Sequence, residues 1–161
     1  MDIRIYPPSR KVVTAVAGAV GEIVQSNSSG AAALNSNTTA TDITNMSVTI
    51  TSSGKPIQIW FQHDGTNTTQ FADVGAGNTG SSSQQTGEFI LYRGASVIAR
   101  WRKQMLQNAA TVTNQNADGM IFSHLDVIAA GTYTYKLQYR CGSATSFAQF
   151  RYFRMFATEI F

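Results

Sequence analysis

The side chains that most often perform chemistry are few in this sequence and widely spaced. The two histidines, His63 and His124, are 61 positions apart, and only Asp126 lies close enough to His124 to share one face of a strand. Because protein zinc sites normally use three or four ligands, both histidines are interpreted as ordinary strand or loop residues. No serine occurs in a nucleophile-elbow pattern, and the nine acidic residues are scattered. The sequence therefore predicts a protein that is not an enzyme and that needs no metal or cofactor.

Two kinds of segment have the composition of binding motifs. Residues 75–80 read Gly-Ala-Gly-Asn-Thr-Gly, which is the glycine spacing of dinucleotide-binding loops. Such a site also needs a helix to receive the phosphates, and residues 81–85 have no helical pattern, so a flexible loop is predicted. Residues 100–103 and 151–154 interleave cations with aromatic rings, as single-stranded nucleic-acid binders do. With a net charge of only +3, a polar sheet face or an interface ion pair is favoured, and no specific nucleic-acid partner is expected.

Composition bounds the class of protein. A chain of 161 residues with 43% hydrophobic content and a net charge of +3 is typical of one folded domain. No apolar run approaches the roughly 20 residues that span a bilayer, so no membrane contact is expected. Cys141 is the only cysteine and no signal peptide is evident, which predicts assembly in a reducing cytoplasm. Charged residues make up only 13%, so polarity comes mainly from hydroxyl and amide side chains.

Alternation of apolar and polar residues recurs along the chain and predicts mostly β-structure. Residues 46–51 and 57–62 alternate on either side of a turn-like segment, 53–56, and are expected to form neighbouring strands. Residues 89–93 and 96–101 flank a Gly-Ala step, which predicts a tight hairpin.

The clearest strand signals lie in the last third of the chain. A strand is predicted at residues 120–127, followed by a longer one at 132–140. Two segments rich in small polar residues, 26–41 and 65–87, are predicted to be surface loops. The longer strand carries a row of large side chains on one face: Tyr133, Tyr135, Leu137 and Tyr139.

The final segment, residues 147–161, is apolar on both faces when it is read as a single strand. A strand with two apolar faces must be covered twice, and in a domain of this size the second cover is expected to be another subunit. The sequence therefore predicts an oligomer. Its subunit contact is assigned to the aromatic side chains of this segment and of the preceding strand: Tyr133, Tyr135, Tyr139, Phe150, Tyr152, Phe153, Phe156 and Phe161.

The chain is divided into an N-terminal arm, residues 1–25, and a folded domain, residues 26–161. Within residues 12–24 the apolar spacing fits a short helix, whereas glycines and β-branched residues favour an extended arm. Both alternatives stay open at this point, and the extended form is preferred.

Several of these strand sequences resemble those of bacteriophage virion proteins. In the first half the resemblance rests on SVTITSSGKPIQI at residues 47–59, on His-Asp-Gly at 63–65 and on FILYRGASVIA at 89–99. In the second half it rests on SHLD, AGTYTYKLQ and ATEI, which begin at residues 123, 130 and 157. The resemblance covers about residues 40–161. Such domains are similar to the jelly-roll sandwiches of the tumour necrosis factor and complement globular-head families, which form tight trimers through aromatic-rich inner strands.

The resemblance implies a single antiparallel β-sandwich of jelly-roll type and a non-enzymatic structural role in a virion that is assembled in the host cytoplasm. Capsid decoration by a homotrimer is the first expectation, because the sequence has no coiled coil or long shaft. The alternative is a tail-associated or head-fibre protein that binds a host surface glycan through the 65–87 loop. The partner is then the major capsid protein or a tail protein. Attachment to it is assigned to side chains of the arm: Ile5, Tyr6, Arg10, Lys11 and Val12.

Overall fold

The computed structural model describes residues 23–25, 33–35, 37–64, 73–78, 85–105, 123–142 and 146–160. Strands are the only regular elements among these residues, which confirms the predicted β-structure. The described part of the chain therefore contains no helix that could cross a membrane. The described strands are β1 Ile23–Gln25, β2 Ala33–Asn35, β3 Thr41–Ser53, β4 Ile57–His63, β5 Asp73–Asn78, β6 Gln85–Arg93, β7 Ser96–Met105, β8 Ser123–Asp126, β9 Ala130–Cys141, β10 Ser146–Arg151 and β11 Phe153–Glu159.

The strands form an antiparallel sandwich. One sheet has the order β1-β11-β4-β8 and is called the β4 sheet below; the other has the order β3-β9-β6-β7 and is called the β9 sheet. A third ladder, β2-β10-β5, continues the β4 sheet because β10 runs directly into β11. Both face the β9 sheet across one hydrophobic core. The predicted all-β antiparallel sandwich is therefore confirmed.

Period-two alternation explains which side chains form this core. On β9, Tyr135, Leu137 and Tyr139 are buried, as the sequence predicts. The β4 sheet contributes alternate residues of β4 in the same way, and each large apolar side chain that is buried contributes about 1.5–3 kcal/mol. From the two sheets the core also contains Ile57, Ile59, Phe61, Phe89, Leu91 and Met155.

Two of the predicted turns have different outcomes. The Gly94-Ala95 step is a two-residue hairpin turn between β6 and β7, with a φ of 57° at Gly94, and this prediction is confirmed. The segment 53–56 also turns, with a φ of 101° at Gly54, but it carries the chain from one sheet to the other. The expectation that β3 and β4 are neighbours is wrong, because each buries its apolar face against the same core from the opposite side.

An irregular segment with four residues of β3 against one of β9 interrupts the pairing of the two strands. Asp42 is opposite Gln138, and the next pair is Ser47 with Lys136, so four residues of β3 face one residue of β9. Asn45 absorbs the extra length in a left-handed conformation with a φ of 63°. As a result, Ile43 and Met46, three positions apart, both lie in the core.

The two predicted surface loops contain strands. Residues 33–35 form β2 within the first, and β5 occupies residues 73–78 within the second, where the glycine motif lies. Val74 and Ala76 are fully buried, and Gly75 between them and Gly77 after them also pair with β10. The flexible-loop prediction is wrong for residues 73–78, because glycine concealed a period-two pattern that the buried side chains follow.

The final segment is two strands instead of one. Tyr152, with a φ of 58°, separates β10 from β11 and reverses the phase of the alternation. Phe150 and Phe153 would lie on opposite faces if residues 147–161 formed one regular strand. Instead both point into the core, where their rings stack with centroids 4.5 Å apart. The single two-faced strand is therefore a wrong prediction, although β11 keeps one aromatic residue, Phe156, on its other face.

The ends of the predicted arm and of the β8 segment are partly described. Residues 23–25 form β1, which pairs with β11, and so extend the β4 sheet. The other residues of the arm lie outside the described part of the chain. The strand predicted at 120–127 is present as β8 over residues 123–126.

A buried polar cluster ties the two sheets together at one end of the sandwich. Asp126, at the end of β8, accepts hydrogen bonds from Arg93 Nη1 at 2.8 and 2.9 Å on its two oxygens, and from the Tyr135 hydroxyl at 2.8 Å. Burial, together with the hydrogen bond and negative charge of Asp126, raises the pKa of Tyr135 well above its usual value. Asp126 is therefore compensated by a cation and a neutral donor from the opposite sheet.

Replacement of Asp126 by alanine is expected to lower the free energy of unfolding by about 3 kcal/mol, because it leaves the Arg93 guanidinium and the Tyr135 hydroxyl without their acceptor. Asp42→Ala is the matched control, since it removes an exposed ion pair with Lys136 and should change stability by less than about 1 kcal/mol. Urea denaturation at pH 7 measures both. Equal effects of the two substitutions would contradict a structural role for the cluster.

A second cluster fixes the end of β11 to the β3–β4 turn. Oε1 of Glu159 accepts hydrogen bonds from the Ser53 amide and hydroxyl at 2.7 Å each, from the Ser52 hydroxyl at 3.0 Å and from the Lys55 amide at 3.2 Å. Desolvation opposes the charged form, but the hydrogen bonds from Ser53, Ser52 and Lys55 outweigh it and hold the pKa of Glu159 below its usual value. The carboxylate thus stabilises the turn in its ionised form.

Because the pKa of Glu159 is lower in the folded than in the unfolded chain, its stabilisation is present above its unfolded pKa and is lost as the pH falls towards its folded pKa. Stability should therefore decrease as the pH is lowered from about 5. Glu159→Gln should be less stable than wild type at pH 7 and should lose less stability on acidification. Chemical denaturation at a series of pH values tests this, and parallel curves for the two proteins would refute it.

Candidate interaction surface

The outer face of the β4 sheet carries an aromatic pair. Phe156 on β11 is directly opposite Trp60 on β4, so both side chains project from the same face of the sheet, away from the core. Their rings stack with centroids 5.3 Å apart and planes inclined by 11°. Trp60 is half-buried and Phe156 is 8% exposed. Aromatic residues thus occupy positions that a solvated sheet face would give to polar residues.

An arginine with one buried donor atom lies next to this pair. Arg154 precedes Phe156 on the same face of β11, opposite Gln62. Its Nε atom is buried, and it has no hydrogen-bond acceptor among the described residues. A buried donor left in this state costs about 1–3 kcal/mol, more when it is charged. Within the described part of the chain, the donors of this face are therefore not all paired.

Apolar surface continues to the edge of the sheet at β8. Leu125 is opposite Gln58, which places it on the outer face next to the polar side chains of Gln58 and Thr158, and it is 47% exposed. Val127, just beyond the end of β8, is 76% exposed. We define the outer β4 face as the side chains of Trp60, Arg154, Phe156 and Leu125.

The outer face of the β9 sheet carries mostly paired polar groups, although Ile90 on β6 also lies on it and is 2% exposed. The hydroxyls of Thr49 and Thr134 are 2.8 Å apart, and those of Thr51 and Thr132 are 3.0 Å apart. Asp42, on the same face, accepts a hydrogen bond of 2.6 Å from Gln138 and pairs with Lys136 at 3.1 Å. Desolvation opposes ionisation of Asp42, but its Gln138 and Lys136 partners prevail and lower its pKa. Polar groups on this face find their partners within one chain.

The structure separates the predicted interface residues into three groups. Tyr135, Tyr139, Phe150 and Phe153 belong to the core of the single chain, which accounts for their burial and leaves at most 8% of any of them exposed. Their place is in the interior, because the phase of β9 and the break at Tyr152 turn them inwards.

The other predicted residues lie elsewhere. Tyr133 packs at the edge of the core beneath the Arg93 guanidinium, and Tyr152 forms the junction between β10 and β11. Phe156 lies on the outer β4 face. Outside the described residues are Phe161 and the arm residues Ile5, Tyr6, Arg10, Lys11 and Val12.

The interface residues predicted from the sequence do not include Trp60 or Leu125, whereas Arg154 lies in the 151–154 segment, for which a polar sheet face or an interface ion pair is predicted. A signal for Trp60 was present, because it alternates with the buried Ile59 and Phe61 and so had to point away from the core. Leu125 gave no comparable signal, since β8 is only four residues long. Their convergence depends on the pairing of β4 with β8 and β11, which the alternation does not specify.

Neither a metal site among the described residues nor a related protein identifies a function for this chain. His63 Nδ1 lies 4.0 Å from Asp64 Oδ1, and the described residues contain no group of three or more His, Cys, Asp or Glu side chains that could hold a metal ion. No protein-family model matches the chain, and no curated protein matches it. The most distinctive feature of the described surface is the outer β4 face.

The separation of core from surface aromatics predicts unequal effects of truncation. Phe153→Ala removes a ring that stacks on Phe150 inside the sandwich and should lower the free energy of unfolding by about 3–5 kcal/mol. Leu125→Ala, on the exposed edge strand, should change it by less than about 0.5 kcal/mol under conditions where the chain is monomeric. Denaturant titration followed by circular dichroism measures both. Comparable losses would mean that Leu125 is not a surface residue.

Proposed function

We propose that this protein is a non-enzymatic structural protein of a phage particle, a capsid decoration protein that assembles as a homotrimer through its outer β4 face. The observation that carries the proposal is the stacked pair of Trp60 and Phe156 beside the Nε atom of Arg154, which has no acceptor in the described part of the chain. Tryptophan and arginine are the residue types that most often dominate binding energy at protein interfaces. Because Phe156 is already only 8% exposed, a partner that covers this face would gain mainly the exposed parts of Trp60 and Leu125, and it could supply an acceptor for Arg154 Nε.

The contrast between the two faces supports a single, directional contact. The hydroxyl ladder and ion pairs of the β9 sheet are satisfied internally, so covering them would bring little gain. The outer β4 face has the partly exposed Trp60 ring instead, and a donor that is unpaired among the residues that the structure describes. Self-association is therefore expected to use the β4 sheet and to leave the β9 sheet facing outwards.

The connectivity supports a jelly-roll topology. Successive strands cross between the sheets: β3 lies in the β9 sheet, β4 in the β4 sheet, β6 and β7 in the β9 sheet, and β8 in the β4 sheet. The chain then returns to β9 and ends in β11. A sandwich of two four-stranded sheets joined in this manner is what a jelly roll requires. The trimeric state follows from the resemblance to the tumour necrosis factor and complement families.

The setting in a virion rests on the sequence resemblance over residues 40–161. Low charge density is compatible with it, because charged residues are only 13% of the chain and few would need to be desolvated between neighbouring shell proteins. A tail-associated role would use the same sandwich in far fewer copies.

The subunit contact is tested by two matched substitutions of exposed apolar residues. Leu125→Asp places a charge on the outer β4 face and should shift the protein from trimer to monomer, because the charge must be desolvated in the contact. Val97→Asp is the control, since Val97 is 40% exposed on β7 of the other sheet. Sedimentation velocity measures the mass of both. A trimer in Leu125→Asp would contradict the proposed contact.

The location is tested on intact particles by electron cryo-microscopy and by the number of copies per particle. A decoration protein should appear in many copies at symmetry-related positions of the capsid. A few copies at the tail would instead support the receptor-binding alternative. Absence from the particle would refute the virion role itself.

A further inference from the structure

A polar pocket lies on the outer face of the β9 sheet. It is half open to solvent, has a volume of about 300 Å³, and is lined by Thr38, Thr86, Glu88, Arg102, Arg140, Cys141 and Gly142. Strand register builds its floor, because Glu88 on β6 is directly opposite Arg140 on β9 and also opposite Arg102 on β7. One carboxylate is thus flanked by two guanidinium groups on a rigid sheet.

The carboxylate holds both guanidinium groups in place. Glu88 Oε1 accepts a hydrogen bond of 2.7 Å from Arg102 Nη2, and Oε2 accepts one of 2.7 Å from Arg140 Nε. Arg140 Nη2 lies 2.6 Å from the same Oε2 atom. Desolvation disfavours the charged Glu88, but the two arginines outweigh it and lower its pKa, so the carboxylate is ionised at neutral pH. The cluster therefore has a net charge of +1.

Both arginines keep donors that Glu88 does not use. A guanidinium group has five N–H donors, and among the described residues Glu88 takes only one nitrogen of Arg102 and two of Arg140. The Arg102 side chain is 64% exposed and that of Arg140 is 38% exposed, whereas Glu88 is 13% exposed. Solvent reaches the cations more readily than the anion, so an incoming ligand meets a positive surface.

The walls of the pocket are fixed by backbone hydrogen bonds. The Gly142 amide donates to the Thr86 carbonyl at 2.9 Å, and the Cys141 amide donates to the Asn37 carbonyl at 2.9 Å. A Cβ atom at position 142 would collide with the Thr86 side chain, so glycine permits this close approach. The backbone of the pocket wall is therefore fixed before a ligand arrives, which reduces the entropy lost on binding.

We propose that this pocket binds the carboxylate of a small polyhydroxylated ligand, that is, an acidic sugar. The planar fork of arginine matches a carboxylate, and a singly charged anion neutralises the net charge of the cluster. A doubly charged phosphate would leave an excess negative charge beside the poorly exposed Glu88. The hydroxyls of Thr38 and Thr86 can bond to sugar hydroxyls, and the volume is at the small end of ligand sites, enough for about one ring.

This inference does not depend on the proposed trimer. The pocket lies on the β9 sheet, and the outer β4 face lies on the other side of the sandwich. Binding of an acidic sugar and the oligomeric state can therefore succeed or fail separately. In an assembly joined through the β4 sheet, the pocket would stay accessible from outside.

The full-length protein is titrated with sodium glucuronate, followed by ¹H–¹⁵N chemical-shift changes at Thr86, Cys141 and Gly142. Glucose is the neutral control, acetate tests the carboxylate alone, and inorganic phosphate tests a dianion. We expect glucuronate to bind with a Kd of about 1 mM or below and at least about tenfold more tightly than the other three. Equal binding of acetate, tighter binding of phosphate, or no shift with glucuronate would each overturn the proposal.

Substitutions identify the groups that bind. Arg102→Gln should weaken glucuronate binding by about tenfold or more, because it removes an exposed charge-assisted donor. Arg102→Lys keeps the charge but loses the planar fork, so its affinity for glucuronate should lie between those of wild type and Arg102→Gln. This variant also provides the test if Arg102→Gln does not fold. Arg100→Gln is the matched control on the same strand, since Arg100 is exposed and does not line the pocket. Unchanged binding in Arg102→Gln, or an equal loss in Arg100→Gln, would refute the assignment.

Discussion

The left-handed backbone at Tyr152 is the constraint on which the rest of the structure depends. With a φ of 58°, it ends β10 and begins β11 one residue later, so the alternation of inward and outward side chains is reversed. Phe150 then contacts Phe61, Phe89 and Phe153, which come from β4, β6 and β11. The Asp64 amide, at the end of β4, donates to the Tyr152 carbonyl at 2.8 Å and secures the junction. One conformation thus aligns two ladders against a common opposite sheet.

The same reversal determines what is left outside. Because Phe153, Met155 and Ala157 enter the core, Arg154 and Phe156 must project from the outer face of β11. Phe156 meets Trp60 across the ladder, and Arg154 keeps an Nε donor without an acceptor among the described residues. The β9 sheet presents paired hydroxyls and paired charges instead. A sandwich with one incomplete face and one satisfied face is suited to assembly in a defined orientation, with the satisfied face free to meet small ligands.

The strands of this fold could be predicted from the sequence, but their partners could not. Alternation identifies β3, β4, β7 and β9 because each of them buries mainly one face, whereas β6 buries the consecutive residues Phe89, Ile90 and Leu91. It does not specify that β3 and β4 lie in opposite sheets, since both patterns satisfy the same core. Left-handed Asn45 and Tyr152 are not glycines and gave no signal, and glycines concealed β5. The candidate sites depend on register: Glu88 and Arg140 are 52 positions apart and meet only through β6 and β9.

The most direct test of the account is the accessibility of Trp60 to solvent in the assembled protein. In a Trp101→Phe background, Trp60 is the only tryptophan, so its fluorescence quenching by acrylamide can be measured alone. If copies of the chain cover the outer β4 face, the quenching rate constant should be several-fold lower in the assembled protein than in a dissociated one. An assembled protein whose Trp60 is quenched as readily as that of the monomer would contradict the account, because the copies would then be joined through another surface.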